Sequence, residues 1–354
     1  MGRPETTRTE ERNAFDLFRL ILALLVLYTH ACFVGGFGQE GFMALVKNQT
    51  LAGSMAVLGF FGISGFLVTR SFCTRHDGPL FVRARLLRIL PGFYFALLLS
   101  AFVFAPLISY FNPKSAGWGA REAFAYLASN ALVLIRDLRI GGILTGLPDE
   151  ESLNGALWSL FPELCCYGLI MFLGLMGVLH RSRASLVLAA VAVAVCHWAI
   201  VLFPGRAFLA PTILQLTGWS PLAAAFLMGS VIYSFRAELE PGPKGAAVWA
   251  VAVVLALKFG GWNLLGPFLL PLALVNGAYS FNARLPVDLS YGIYVLHFPI
   301  LQLLAAMGAN RGGYLEYFAL SLVATVPFAL LSWCLVERPA LALKKGRATK
   351  TASP

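Results

Sequence analysis

Charge is scarce in this sequence of 354 residues. Asp, Glu, Lys and Arg together make up 12%, about half of the roughly 25% usual in soluble domains. With 58% hydrophobic residues and a mean hydropathy of +0.75, a water-soluble globule is excluded. Short alternating apolar segments are also missing, which argues against an outer-membrane barrel. The apolar residues come in long unbroken blocks, and a bilayer core without water accommodates such blocks only as helices. Cysteines at metal-ligand spacing are absent. The six present, Cys32, Cys73, Cys165, Cys166, Cys196 and Cys334, fall in or beside apolar blocks and read as small core residues with no disulfide. There is no Walker-type phosphate loop, dinucleotide-type glycine pattern or zinc spacing, and no internal repeat or second soluble domain. Gly35-Gly36-Phe37-Gly38 is a loop signal only.

Acidic residues are the rarer sign, 17 against 27 basic, leaving a net charge of +10. The excess sits in short loops between apolar blocks, where topology accounts for it and nucleic-acid binding loses its motive. Runs of roughly 20 apolar residues, enough to cross about 30 Å of hydrocarbon, extend from Phe15 to Phe37, Leu51 to Thr69, Leu86 to Tyr110, Leu157 to Leu179 and Ser185 to Phe203. Others run from Leu216 to Phe235, Gly245 to Lys258, which is short, Trp262 to Ser280, Pro286 to Gly308 and Glu316 to Val336. The expected fold is therefore an all-α, polytopic membrane bundle of about ten transmembrane helices, with a further buried or interfacial helix near Phe124 to Ile135.

The first apolar run follows Arg3, Arg8 and Arg12, is too long for a signal-peptide core and lacks a small-x-small cleavage site, so it is read as retained. With the N-terminus inside, 19 of the 27 Lys and Arg fall on the cytoplasmic side, so the positive-inside rule places both termini in the cytoplasm of an inner (plasma) membrane protein. Residues 1–14 form an N-terminal tail, 15–339 the membrane-embedded part and 340–354 a basic C-terminal tail. The outward segment 111–156 is long, carries Asp137, Asp149, Glu150 and Glu151 beside several glycines, and is expected to cap an outward-facing site.

Ionisable groups within the membrane are functional candidates by default. Arg19 and His30, eleven residues apart, are turned by only about 20° and separated by roughly 16 Å on one helix face. Arg19 lies near the cytoplasmic mouth and His30 in the outer half; a snorkelling anchor and an interfacial polar residue are the alternatives. Arg85 and Arg88 share a helix face at the cytoplasmic surface, where they either clamp phosphates or serve topology and anionic headgroups. Glu163, one turn into the fourth run after Trp158, Ser159 and Pro162, needs a partner or a wet pocket, and a carboxylate and an imidazole in the same outer half suit an acid/base pair. Trp158 alone reads as an aromatic-belt residue. His297 lies near mid-membrane beside Pro299, either as a pocket residue or as a core histidine locking the kink. Two histidines without a third ligand make no metal site.

In chain order, these motifs resemble the acyltransferase-3 family of integral-membrane acyltransferases. They comprise Phe15-Asp16-Leu17-Phe18-Arg19 leading to His30, then Phe60-Phe61-Gly62-Ile63-Ser64-Gly65-Phe66, and Arg85-x-x-Arg88 before Pro91. Trp158-Ser159-Leu160-x-x-Glu163, Ser290-Tyr291-Gly292-Ile293-Tyr294-Val295-Leu296-His297-x-Pro299 and Glu337-Arg338-Pro339 complete the set. Pro162 and Cys165-Cys166 depart from the usual fourth-span pattern, and with no esterase-like domain after Pro339 the stand-alone form is expected.

The resemblance implies transfer of an acyl group, often acetyl, from cytoplasmic acetyl-CoA or another acyl-CoA to a hydroxyl of an extracytoplasmic glycan, lipopolysaccharide, exopolysaccharide or glycoside. It gives His30 the central catalytic role, Arg19 a place on the acyl-CoA path, and Arg85 and Arg88 a part in binding the CoA head. In this reading His30 is the general base, Glu163 orients the imidazole or holds the sugar, and Trp158, Ser159 and His297 bind acceptor, without metal; an acyl-histidine is a variant. The other function classes are a secondary transporter or exporter of a polar metabolite or glycan, using the same charges as a path, and a non-catalytic assembly factor.

Overall fold

The computed structural model describes residues 13–75, 77–177, 179, 183–203, 218–283 and 285–345, and within them the regular structure is helical with no strand. Most of the two expected tails, with Arg3, Arg8, Arg12, Arg347 and Lys350, lies outside the described residues, as do Arg181, Arg206, Arg284 and the expected span start at Leu216. The long helices are α1 (Phe15–Val34), α2 (Ala52–Arg75), α3 (Gly78–Leu99), α4 (Ala120–Asn130), α5 (Leu160–Leu175), α6 (Arg183–Leu202), α7 (Ser220–Ser234), α8 (Pro243–Phe259), α9 (Trp262–Ser280), α10 (Ser290–Ala306) and α11 (Tyr314–Ser332).

Each of the ten apolar runs carries one of these helices, and α4 covers the first half of the extra stretch, running from Ala120 to Asn130 and stopping short of Ile135. Among the described residues, six segments are long and apolar enough to cross a membrane: Phe15–Val34, Ala52–Thr74, Gly78–Phe111, Leu157–Leu175, Arg183–Leu202 and Tyr314–Ala342. Ser220–Ser234 and Ser290–Ala306 are apolar but shorter.

The helix face expected for Arg85 and Arg88 lies on α3, which starts ahead of them because Asp77 Oδ1 accepts the backbone N–H of Leu80 at 3.0 Å. One expectation is corrected. Only Cys32 and Cys166 are buried; Cys165, Cys196 and Cys334 are exposed and Cys73 is half-buried.

The chain divides into two compact units. The first comprises Met1–Leu22, Gly41–Phe81 and Pro162–Pro286. Its centre is the crossing of α2 and α7, where glycines bring two backbones together. A Cβ on Gly65 would lie 1.9 Å from the Phe226 carbonyl oxygen, and one on Gly229 2.1 Å from that of Gly62. Ser230 Oγ donates to the Phe226 oxygen at 3.1 Å and to that of Gly65 at 3.3 Å, sealing the crossing. Phe66, fully buried, stacks on Phe15 at 5.6 Å and meets Tyr233 and Tyr279 edge-on. His197 on α6 is a staple here, bridging Ser220 Oγ at 3.0 Å and the Asn263 carbonyl at 2.7 Å.

The second unit comprises Ala23–Glu40, Val82–Phe161 and Val287–Pro354. Here α10 packs along α11, with Gly292 against Ala329 and Tyr317 Oη donating to the Leu301 carbonyl at 2.7 Å. After Leu99, α3 passes through a π turn, Ser100–Phe104, into a short helix ending at Phe111. The Ala101 carbonyl in that turn is taken by Trp118 Nε1 at 3.0 Å.

The segment following Phe111 is held by three buried asparagines. Asn112 Nδ2 donates to the Ile143 and Thr145 carbonyls at 2.8 and 3.0 Å. Asn130 donates to the Asp137 carbonyl at 2.8 Å and accepts the N–H groups of Arg136 and Asp137. Asn154 reaches α10, as described next.

Candidate active site

Pro299 lies inside α10 and has no N–H to give, so the carbonyl four residues earlier, at Val295, loses its helical partner. Asn154 Nδ2 supplies the missing donor at 2.9 Å. Gln302, one turn beyond, donates from Nε2 to the Asp149 and Ser152 carbonyls at 2.9 and 2.8 Å, so the end of the long segment docks on α10 at two points. The carbonyl freed by Pro299 is thus satisfied by Asn154 rather than by His297.

His297 is fully buried, and its Nδ1 lies 2.9 Å from the Ile293 carbonyl oxygen. Its Nε2 lies 2.7 Å from Nδ1 of His30, on α1. The two rings are inclined by 11° with centroids 5.0 Å apart. An N···N separation of 2.7 Å is shorter than the roughly 3.5 Å of atoms in face-to-face contact, so this is an in-plane, edge-to-edge hydrogen bond rather than a stack. Phe298 closes the other side of His30 with its ring at 4.9 Å and 71°. His30 itself remains partly exposed. Thus a half-buried imidazole is held by a fully buried one, an arrangement that would suit a base and its orienting group.

Of the remaining expected residues of this unit, Trp158 and Ser159 form the turn ahead of α5, and Arg85 and Arg88 lie on α3. Ser159 Oγ is 2.6 Å from Tyr294 Oη, both buried, and the Tyr294 ring is 6.4 Å from that of His297. Trp158 is 40% exposed, as an aromatic-belt residue is. Arg88 Nη2 donates to Asp288 Oδ2 at 2.7 Å, and its guanidinium lies 5.9 Å from the Tyr291 ring centre. Asp288 also accepts the N–H of Ser290 at 3.2 Å through Oδ1, capping the start of α10. Arg85 is partly buried three residues before Arg88.

In the first unit, Arg19 is half-buried on α1. Glu163, in the first turn of α5, accepts through a single oxygen, Oε1, from Ser64 Oγ at 3.0 Å and Tyr167 Oη at 2.5 Å. The serine of the glycine-rich α2 motif therefore has an identifiable task, to hold the Glu163 carboxylate.

Several polar groups escaped the sequence reading. Glu40, 2% exposed, accepts from Thr29 Oγ1 beside His30, after a turn in which Gly36 and Gly38 have positive φ. Asp288, Tyr167 and Asn154 are the others. Polarity within an apolar run was the available signal for Tyr167 and for Asp288, which falls in the run from Pro286 to Gly308; Glu40 and Asn154 sit in connecting segments, where a polar residue is unremarkable. Burial raises the Asp149 carboxyl above the ordinary range, against the N–H bonds of Glu151 and Ser152 that favour its ionised form. Among the described residues, no group of three His, Cys, Asp or Glu is placed to hold a metal ion.

Residues 12–335 match the profile of the acyltransferase-3 family, described as an acyltransferase domain. The chain belongs to this family. It is an acyltransferase of groups other than amino-acyl groups, and the transporter alternative is set aside. Nodulation protein 10 of Rhizobium leguminosarum bv. viciae is 26% identical over 97% of both chains. An O-acetyl transferase of Shigella phage Sf6 is 24% identical over 92% of this chain and 95% of its own. No solved structure matches.

Proposed function

We propose that this acyltransferase moves an acyl group, acetyl in the first instance, from acyl-CoA to a hydroxyl of a glycan or glycoside outside the cytoplasm, with His30 as general base. The observation that carries the reading is the in-plane hydrogen bond that fixes a partly exposed His30 against a buried imidazole. The O-acetyl transferase among its relatives supports oxygen as the acceptor atom. In this reaction His30 takes the acceptor's hydroxyl proton as the oxygen attacks the thioester carbonyl. The tetrahedral oxyanion then collapses, the C–S bond breaks, and the CoA thiolate leaves with the proton returned from the imidazolium.

Arg19 and Arg85 are assigned to the acyl-CoA path. Arg88 joins them with its charge shared with Asp288, and Glu163 hydrogen-bonds an acceptor hydroxyl. The protein would cross the inner membrane about ten times with both termini inside, its basic face toward CoA. The test uses the full chain in proteoliposomes with acetyl-CoA and a panel of methyl glycosides. We expect release of CoA thiol with O-acetyl glycoside as product, abolished by His30→Ala in a normally inserted protein. Undiminished transfer by that variant would refute the assignment.

A further inference from the structure

The hydrogen bonds around His297 decide which nitrogen of His30 is the base. A carbonyl oxygen only accepts, so at 2.9 Å from the Ile293 oxygen Nδ1 of His297 carries the hydrogen. A doubly protonated His297 would place a cation at 0% exposure with that carbonyl and His30 as its partners, a costly arrangement. In the neutral ring, Nε2 of His297 is then a lone pair, and the 2.7 Å contact requires Nδ1 of His30 to donate. The hydrogen of His30 is thereby committed, and its Nε2 is left as the lone pair.

From this we infer that His297 is a positioning residue for the acyl transfer: it holds His30 in the Nδ1–H tautomer, so that Nε2 is the atom that takes the acceptor proton. The inference rests on His30 being the base. When Nε2 takes the proton, the charge on the His30 ring turns its Nδ1–H···N bond to His297 into a charge-assisted one, which strengthens as the transition state develops. The proton then leaves from Nε2 to the departing thiolate, and His297 ends the cycle as it began. This differs from contact of His297 with the acceptor, which its complete burial disfavours.

Two near-isosteric variants separate the roles. The amide oxygen of a glutamine falls near the position of Nε2 and can accept from His30, whereas an asparagine reaches only the position of Nδ1 and keeps the Ile293 side. Steady-state kinetics of CoA release from acetyl-CoA, with methyl glycosides as acceptors, are measured for the full chain in proteoliposomes. We expect His297→Asn to lower kcat by about 10²-fold or more, and His297→Gln to recover at least about tenfold of that loss, with both KM values unchanged. Equal kcat in the two variants, or a loss confined to the acceptor KM, would overturn the inference while leaving His30 as the base. Wild-type turnover by His30→Ala would instead overturn the reading beneath it.

Discussion

Around α2 and α7, the first unit is held by the removal of side chains: glycines let two backbones touch, and aromatic rings fill the space beside them. Around α10, the second unit is held by side chains that reach backbone carbonyls, Asn154 to Val295, Gln302 to Asp149 and Ser152, Tyr317 to Leu301 and Trp118 to Ala101. Two of these carbonyl acceptors, at Val295 and Leu301, belong to one proline-containing helix, which also carries His297 on its own Ile293 carbonyl. The contrast suggests a division of labour. Close helix crossing needs little polar contact beyond Ser230, whereas a proline-containing helix leaves the Val295 carbonyl to a side-chain donor and also seats His297 against the Ile293 carbonyl.

The sharpest way to break this comparison is at the chemistry. His30→Ala should lower kcat by on the order of 10²–10⁴-fold with insertion intact, and a comparable loss on any glycine substitution that leaves the fold intact would contradict it. Gly65→Ala places a methyl 1.9 Å from the Phe226 oxygen. It should cost about 3 kcal/mol or yield no folded protein, read as the unfolding midpoint in detergent. Asn154→Ala leaves the Val295 carbonyl without its donor; we expect about 1–3 kcal/mol of stability lost together with a fall in kcat, since the same helix holds His297.

Arg88→Ala should cost about 1–2 kcal/mol by removing the charged partner of Asp288 and raise the acetyl-CoA KM, whereas Arg85→Ala should raise that KM at little cost in stability. Matching effects of the two would show that the Asp288 bond does not distinguish them. The smallest effect concerns Asp149. Its folded carboxyl titrates above the unfolded one, so the stability it contributes is present at acid pH and lost as the pH rises through the folded value. Asp149→Asn should therefore raise the melting temperature slightly above the carboxylate range and not at acid pH.

Helix positions were legible in the sequence because apolar runs of bilayer length admit one structure, and all ten runs carry helices. The motif residues were legible as polar or ionisable exceptions within those runs. What joins them was not. His30 and His297 are 267 positions apart, and no periodicity reports a pairing at that range. Asp288 gave no sign of Arg88, and the Gly62 and Gly65 motif did not reveal that its partner is Gly229. Pro299 was visible, but the donor for the carbonyl it frees came from a loop whose asparagines look like ordinary loop residues.

The account stands most directly on a double-mutant cycle of kcat for His30→Ala, His297→Asn and the pair, each with insertion verified. If His297 acts only through His30, the double variant is no slower than His30→Ala alone. Losses that multiply would show that the two imidazoles work independently and would contradict the account.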